Sequence, residues 1–223
     1  MKKTLTFILC ILITLSFTSC FDIVEEINLK SNGSGSIQGT LNLSKSKTKA
    51  ASLMKLDKID GIKIPNQNEI KKEMAVIVQL LKNTKGISNV QSRLDFNNYI
   101  ASISCDFSNV EALNAYTQTL SSHFKAKINS YSSYAFNKST KVLQRTYKHS
   151  PEAKKEFEKL RPENRNSFNQ AFYTCIYRFD TAVESQKNST AKVSPNKQAV
   201  MLKVSVPDLV NGKANLGNTI DLK

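Results

Sequence analysis

This chain has four cysteines and two histidines, the residue types best suited to catalysis and metal binding. Their spacing does not match the common catalytic and metal-binding motifs. His123 and His149 belong to no H-x-x-x-H pair and have no cysteine at the spacing of metal ligands. The chain lacks a G-x-S-x-G nucleophile elbow, and no S-x-x-K stretch is accompanied by S-D-N and K-T-G partners. We therefore predict no catalytic residue, no metal site and no cofactor. A hydrolase whose site is assembled from distant side chains stays open as an alternative.

Cys20 follows a segment with the pattern of a secretion signal. Two lysines precede an apolar run over residues 5–17, and the small residues Thr18 and Ser19 stand directly before the cysteine. The apolar run is shorter than the roughly 20 residues that a membrane-spanning helix needs. We therefore predict that residues 1–19 are a signal peptide. An ordinary cleaved signal, with the cysteine incidental, is the alternative.

The stretch Phe17-Thr18-Ser19-Cys20 resembles the lipobox of bacterial lipoproteins, in a relaxed form found among those of the Bacteroidota. Phe stands where Leu is usual, and Ser where Gly or Ala is usual. The resemblance implies lipid attachment at Cys20, with acyl chains such as palmitate holding the protein in the cell envelope. Two or three acyl chains give stable anchoring, whereas one chain is marginal. Phe21 at the second mature position resembles lipoproteins released to the outer membrane, which implies a periplasm-facing location.

The chain is strongly basic, with 32 Lys and Arg against 18 Asp and Glu. Residues 1–19 hold two of the lysines and no acid, so the mature chain carries 30 basic and 18 acidic residues, a formal charge of +12. Attraction to anionic headgroups or acidic glycans is one interpretation, since each Lys near such a surface contributes about 1 kcal/mol. A compositional bias toward Lys, Asn and Ile is the other. A membrane-tethered envelope protein is not expected to bind nucleic acid.

Cys105 and Cys175 are predicted to point inward on strands, because each alternates with apolar residues. In an oxidising envelope such a pair is a candidate disulfide. The bridge would close a loop of about 70 residues, worth about 4 kcal/mol in the chain-entropy model. The alternative is two buried free thiols that act as small apolar side chains. No C-x-x-C pair is present, so a redox site is not predicted.

The elements that must position these residues alternate as β-hairpin and helix. Strands are predicted in four pairs, over 23–29 and 36–43, 87–94 and 99–107, 127–136 and 141–147, and 172–183 and 198–206. The turn before residue 36 holds Gly33 and Gly35, which is strong hairpin chemistry. The last two strands are expected to flank one polar turn over 187–197.

Capping patterns predict where the helices begin. Asn66 with Glu69 forms a capping box ahead of a run whose apolar residues share one face, and Gly86 ends that helix. Ser108-x-x-Glu111 predicts a second capping box, and Ser150-Pro151-Glu152 predicts a third helix start. A weaker helix is predicted over 47–58. Together these elements predict an α+β fold, an antiparallel sheet built from hairpins with helices packed on one face.

The mature chain, residues 20–223, is long enough for one domain with a substantial core. We predict a single α+β envelope domain with a weak seam near 125–133. Aromatic residues concentrate between 131 and 179, where a helix carrying one phenylalanine would cover an aromatic strand. This predicts an apolar ligand pocket, and an ordinary aromatic core is the alternative. The predicted lining is Tyr134, Phe136, Tyr147, Phe157, Phe172, Tyr173, Tyr177 and Phe179.

The early hairpin with Ser34-Gly35-Ser36 and the order of the elements are similar to those of LppM-type lipoproteins. That resemblance implies helices against an antiparallel sheet and a lipid-binding role, and it transfers no residue role. Our leading hypothesis is a non-catalytic, membrane-anchored module that binds a lipid, a glycolipid or an acidic glycan. A structural or assembly subunit that docks onto another envelope protein is the second hypothesis, and the unrecognised hydrolase is the third.

Overall fold

The computed structural model describes residues 21–124, 132–149 and 151–223. The predicted signal peptide and Cys20 lie outside these ranges, as does most of the predicted seam near 125–133. The described residues form strands and helices in the mixture that the sequence predicted, and the α+β class is confirmed. Two antiparallel-dominated sheets and a pair of long helices make up the architecture.

The described part of the chain holds thirteen strands, most of them in hairpins. In chain order they are β1 Asp22–Leu29, β2 Gly35–Asn42, β3 Lys58–Ile59, β4 Ile62–Lys63, β5 Ile87–Asp95, β6 Ile100–Phe107, β7 Ser132–Asn137, β8 Val142–Tyr147, β9 Phe172–Phe179, β10 Val183–Gln186, β11 Lys192–Val193, β12 Ala199–Ser205 and β13 Asn218–Leu222. The three predicted hairpins of the first two thirds of the chain, β1–β2, β5–β6 and β7–β8, are all formed.

Six α-helices lie among the described residues, and two of them are long. They are α1 Lys47–Leu53, α2 Gln67–Lys82, α3 Val110–His123, α4 Pro151–Glu158, α5 Pro162–Asn166 and α6 Val206–Val210. The long helices α2 and α3 contact each other, and they lie against β5 and β6. The remaining helices are one to two turns long.

The larger sheet has seven strands in the order β11-β12-β9-β1-β2-β6-β5. Its centre is a parallel pair, β1 and β9, in which Glu25 lies beside Cys175 and Ile27 beside Tyr177. All other neighbours in this sheet are antiparallel. In each central strand, every second side chain points to the same buried face of the sheet. We call this face the inner face.

A second sheet of four strands has the order β10-β13-β8-β7. Two of its strands correct the sequence prediction. Residues 172–183 are not one strand, because the chain leaves the large sheet after Phe179 and Val183 begins β10 in the second sheet. The C-terminal tail, in which the sequence predicted no strand, supplies β13, which pairs with both β10 and β8.

A continuous apolar core joins the two sheets and the long helices. Ile27 and Ile37 come from the large sheet, Leu113 from α3, and Leu143 and Ile220 from the second sheet. Each of these side chains is almost wholly buried. The inner face of the large sheet is thus covered by α2 and α3 at one side and by the second sheet at the other.

Local capping explains where α2 and α3 begin. The Asn66 side chain accepts from the backbone N–H of Glu69, and the Glu69 carboxylate accepts from the Asn66 N–H, so the predicted capping box is confirmed. The prediction for α3 was off by one residue. Asn109, and not Ser108, is the N-cap, and its side chain accepts from the Ala112 N–H.

Candidate functional site

An apolar groove of about 350 Å³ lies between the inner face of the large sheet and the helices α2 and α3. It occupies the end of the sheet where β1 begins, beside the positions at which β2 ends and β6 and β9 start. Its lining consists of Ile23, Val24, Glu25, Gly39, Thr40, Leu41, Met74, Ile77, Ala101, Ser102, Ile103, Tyr116, Thr117, Leu120, Phe124 and Tyr173. We call this feature the groove.

The groove follows from the spacing of apolar residues on the two helices. Met74 and Ile77 lie one turn apart on α2, and Leu120 lies one turn after Tyr116 on α3, so each pair faces the same sheet. Phe124, directly after α3, is 56% exposed, and Leu41 on β2 is 39% exposed. Because these two lining side chains are exposed, the groove is open to the outside and is not a closed cavity.

Gly39 on β2 has no side chain, and its position leaves room for the groove. An added Cβ at this position would lie 3.8 Å from Tyr116 Oη and 3.9 Å from Ile103 Cγ2, which are ordinary contact distances. A small side chain therefore fits, while a large one would fill the groove. The glycine brings the sheet backbone close to the Tyr116 hydroxyl.

Tyr116 places a polar atom inside this apolar lining. The residue is only 5% exposed, and within residues 21–124, 132–149 and 151–223 its hydroxyl has no hydrogen-bond partner. Burial, with smaller effects of the nearby Cys105 thiol and Glu25 carboxylate, holds the pKa of Tyr116 well above its usual value. The hydroxyl is therefore a neutral donor and acceptor at any physiological pH. The hydroxyl oxygen is not one of the fully buried, unsatisfied polar atoms of the described structure, so it is accessible from the groove and can form a hydrogen bond with a ligand there.

A buried polar cluster adjoins the groove at Glu25 and Tyr173. Its centre is Arg145 on β8, which is 4% exposed. Arg145 Nη1 donates to Tyr177 Oη at 2.9 Å and lies 3.3 Å from Glu25 Oε1, and Nη2 donates to Tyr173 Oη at 3.2 Å. The Tyr134 hydroxyl donates to the same Glu25 oxygen at 3.0 Å. We call these residues the arginine cluster.

The arginine cluster gives the buried Arg145 cation a counter-ion and hydrogen-bond partners, which a buried charge requires. Its neutral members stay protonated, because burial raises the pKa of Tyr134, Tyr173 and Tyr177 well above the usual tyrosine value. Arg145 comes from the second sheet, while Glu25 and the two β9 tyrosines come from the large sheet. The cluster therefore connects the sheets, and it places one carboxylate at the wall of the groove.

The eight aromatic residues predicted to line one pocket do not do so. Tyr173 alone of the eight lines the groove. Tyr134 and Tyr177 belong to the arginine cluster, and burial in the sheet core explains their positions. The remaining five pack elsewhere: Phe136, Tyr147 and Phe179 lie in or against the core, Phe172 lies under the Lys203 ammonium at 4.1 Å, and Phe157 packs edge-on against Phe168.

The groove could not be predicted from local sequence patterns because its lining comes from six separate segments. The sequence predicted an apolar face on α2, and Met74 and Ile77 lie on that helix in the groove lining. Nothing in the local pattern indicated that Tyr116 would have an unpartnered hydroxyl or that Gly39 would lie opposite it. An isolated glycine within a predicted strand was the one usable signal, since such a residue often marks a close approach.

Cys105 and Cys175 are buried free thiols, which corrects the candidate disulfide. Cys105 lies on β6 and Cys175 on β9, and β1 and β2 run between them. Three strand spacings separate the two by about 14 Å. A disulfide requires Cα atoms within about 7 Å. Burial raises the pKa of the Cys105 thiol to about 12 and that of Cys175 further, so neither is a ready nucleophile.

The histidines lie apart from the groove and are held by other groups. His123 Nε2 is 2.7 Å from Glu73 Oε1, and His149 Nε2 is 2.9 Å from the Val210 carbonyl oxygen. Within the described ranges, no group of three His, Cys, Asp or Glu side chains is placed to hold a metal ion.

A second depression, of about 410 Å³, lies on the outward face of the large sheet. It is lined by amide, hydroxyl and carboxylate groups, among them Asn28, Gln38 and Gln91. Its two acids, Glu26 and Asp106, bind Arg178 Nε at 2.8 Å and Asn89 Nδ2 at 2.7 Å. This surface is acidic. It does not complement an acidic glycan, and we regard the groove as the better ligand site.

Comparison with known proteins gives a structural similarity and no matching sequence family. No protein-family model matches the chain, and no curated protein matches it. Among solved structures, the chain is similar to the folded domain of the LppM protein of Mycobacterium tuberculosis, determined by NMR, with 12% sequence identity and a TM-score of 0.46. The similarity covers 93% of this chain and 92% of that chain. It concerns the fold alone and assigns no ligand or residue role.

A helix that crosses a membrane must be both long and apolar. None of the helices in the described residues is both long and apolar enough to span a bilayer. The longest, α2, has 16 residues and carries charged side chains along one face.

Proposed function

We propose that this chain is a membrane-anchored, non-catalytic envelope lipoprotein whose groove binds one hydrocarbon chain of a lipid or glycolipid. The observation that carries the proposal is the position of the groove. It opens at the end of the sheet where β1 starts, and Ile23 in its lining is only three residues after Cys20. Acyl chains on Cys20 would hold this end of the domain at the bilayer.

The size and chemistry of the groove favour a single chain. A volume of about 350 Å³ is near the lower end of the range for ligand pockets, about 300–1,000 Å³. Met74, Ile77 and Leu120 supply apolar walls on the helix side, and Ile23 and Ile103 supply them on the sheet side. Each methylene group moved from water into such a site contributes about 0.8 kcal/mol, whereas a methylene group taken from a bilayer gains little.

The exposed apolar residues support a ligand site more than a docking face. Leu41 and Phe124 belong to the groove lining, and the other exposed large apolar residues of the described structure lie outside it: Leu56, Ile62, Val76, Val193 and Met201. Scattered exposed apolar residues are normal on a soluble surface. The pair at the groove is the one that a bound chain would cover.

The test labels the full-length protein, reconstituted in phosphatidylcholine vesicles, with a dodecane that carries a photoreactive diazirine. We expect labelled peptides from α2 and the end of α3. Gly39→Leu fills the groove and should lower this labelling about fivefold or more, since overpacking costs about 1–3 kcal/mol. Gly39→Ala is the matched control, because its Cβ meets only ordinary contacts. Equal labelling of wild type and Gly39→Leu would overturn the groove as the binding site.

The anchor is tested separately. Cys20→Ser should release the protein from the membrane fraction, because the acyl chains would be absent. Continued membrane association of this variant, measured by fractionation and immunoblotting, would contradict attachment at Cys20. The outcome is independent of whether the groove is occupied.

A further inference from the structure

The polar groups of the groove determine which chain it would prefer. A hydrocarbon chain is as well solvated in the bilayer as in an apolar groove, so burial of methylene groups gives little advantage over the membrane. Binding from a bilayer therefore depends on the groups that the bilayer interior cannot offer. In the groove these are the Tyr116 hydroxyl and the Glu25 carboxylate.

Tyr116 requires a partner at the buried end of the ligand. The Tyr116 residue is 5% exposed, and its hydroxyl is unpartnered in the described structure and lies in the groove opposite Gly39. A purely hydrocarbon ligand would cover this hydroxyl and leave it unsatisfied. A ligand with a polar group at that depth would remove the penalty of a buried, unpaired donor.

Glu25 restricts the charge of that polar group. All contacts of its carboxylate within the described residues are made by Oε1, which meets Arg145, the Tyr134 hydroxyl and the Cys175 thiol. Oε2 makes none of these contacts and keeps its acceptor capacity, and Glu25 is part of the groove lining. No Lys, Arg or His belongs to the described lining, so a bound anion would be buried beside a carboxylate without a cation.

A cationic end group is disfavoured for a different reason. The Glu25 carboxylate already has a counter-ion in Arg145, and the two charges balance. A second cation would be desolvated without a further negative charge to offset the cost. A neutral hydroxyl fits both groups, because it can accept from Tyr116 and donate to Glu25.

We infer that the groove selects a neutral, hydroxyl-bearing single-chain amphiphile, such as a long-chain alcohol or a monoacylglycerol, over the fatty-acid anion of the same length. The inference rests on the proposed function, because it names the class of lipid that the same groove would take. In this inference, the ligand hydroxyl forms hydrogen bonds with Tyr116 and Glu25, and the apolar walls of the groove contact the hydrocarbon chain.

The experiment uses the full-length protein in phosphatidylcholine vesicles and four diazirine probes of equal length: dodecane, dodecanol, dodecanoate and dodecylamine. Labelling of the groove is normalised to the probe content of the vesicles, at a mildly alkaline pH where dodecanoate is ionised. We expect dodecanol to label the groove about fivefold or more above dodecanoate and dodecylamine, the factor that one good hydrogen bond supplies.

Tyr116→Phe should lower dodecanol labelling about fivefold and leave dodecane labelling unchanged or higher, since it removes one hydrogen-bonding group. Tyr99→Phe, which lies outside the groove lining, is the matched control. Glu25→Gln should raise dodecanoate relative to dodecanol. That variant leaves Arg145 unpaired, so resistance to proteolysis is checked first, and the comparison of probes on wild-type protein stands without it.

The outcomes separate the two proposals. Equal labelling by the alcohol and the anion, a preference for the amine, or no effect of Tyr116→Phe would overturn the selectivity for hydroxyl-bearing chains and leave the groove as a lipid site. Labelling by none of the four probes would overturn the proposed function together with this inference.

Discussion

Arg145 Nη1 lies 3.3 Å from Glu25 Oε1 and joins β8 of the second sheet to β1 at the centre of the large sheet. The arginine is buried, and the carboxylate is half-buried at the wall of the groove. Structural support and the proposed ligand site therefore share one carboxylate. Such an arrangement ties the position of Glu25 in the groove to the packing of the two sheets.

Arg145→Met should destabilise the protein by about 3–5 kcal/mol, because removal of one partner of a buried ion pair leaves the other uncompensated. Arg178→Met is the control, since Arg178 pairs with Glu26 on the exposed outward face. Exposed pairs contribute about 0–1 kcal/mol. Urea unfolding followed by circular dichroism measures both. Equal losses in the two variants would contradict a structural role for the arginine cluster.

Stability should fall in alkaline solution. Burial raises the pKa of Cys105 above the ordinary thiol value of 9.0 and the pKa of Tyr116 above the ordinary 10.0. Between the ordinary and raised values the folded protein binds more protons than the unfolded chain, so the free energy of unfolding decreases as pH increases. Well below pH 9.0 both groups are protonated in the folded and the unfolded states, so they contribute no slope there.

Urea midpoints measured from neutral to strongly alkaline pH test this behaviour. Tyr116→Phe should reduce the slope above pH 10.0, because it removes one group with a raised pKa. A midpoint that stays constant to the highest pH would show that the buried thiol and hydroxyl do not titrate differently in the folded and unfolded states.

Gly35→Ala should disrupt the first hairpin. A Cβ at this position would lie 1.9 Å from the Asn28 carbonyl oxygen and 2.6 Å from Phe107 Cζ, and the backbone atom cannot move aside without breaking the β1–β2 pairing. We expect a loss of about 3 kcal/mol or more, the upper range of overpacking. Gly39→Ala on the same strand should change stability by less than about 1 kcal/mol. Thermal or urea unfolding of the pair measures the difference.

Cys105 and Cys175 should resist alkylation in the folded protein. Both are buried and free, and burial raises the thiol pKa of each, so little thiolate is present at neutral pH. In concentrated urea without a reductant, both should react with iodoacetamide. Peptide mapping by mass spectrometry identifies the sites. Failure of both cysteines to react in urea until a reductant is added would establish a disulfide and contradict the strand order.

The sequence predicted the α+β class, the early hairpins and the start of α2 because each depends on residues near one another in the chain. Asn66 and Glu69 are three residues apart, and their capping box forms as predicted. Alternation of apolar residues over a few positions was enough for β5 and β6. The pattern failed at β13, where five residues with mixed polarity become a strand because β8 and β10 flank them.

The sequence did not locate the groove. Aromatic residues of 131–179 indicated an apolar site, yet the structure buries most of them in the core or around Arg145. Strand alternation identified inward-facing residues correctly for Tyr173 and Tyr177, but it does not tell whether a neighbour covers them. That depends on which strands pair and on where the helices end.

The sequence by itself determined the local elements, the basic composition and the candidate lipid attachment at Cys20, since these are written in neighbouring residues. The tertiary structure decided the parallel pairing of β1 with β9. In that pairing Glu25 lies beside Cys175, which is 150 residues later in the chain. That pairing separates the two inward cysteines, brings Glu25 to Arg145 and leaves the groove beneath Tyr116. Burial of one shared apolar face, which no single segment can achieve, is the physical reason.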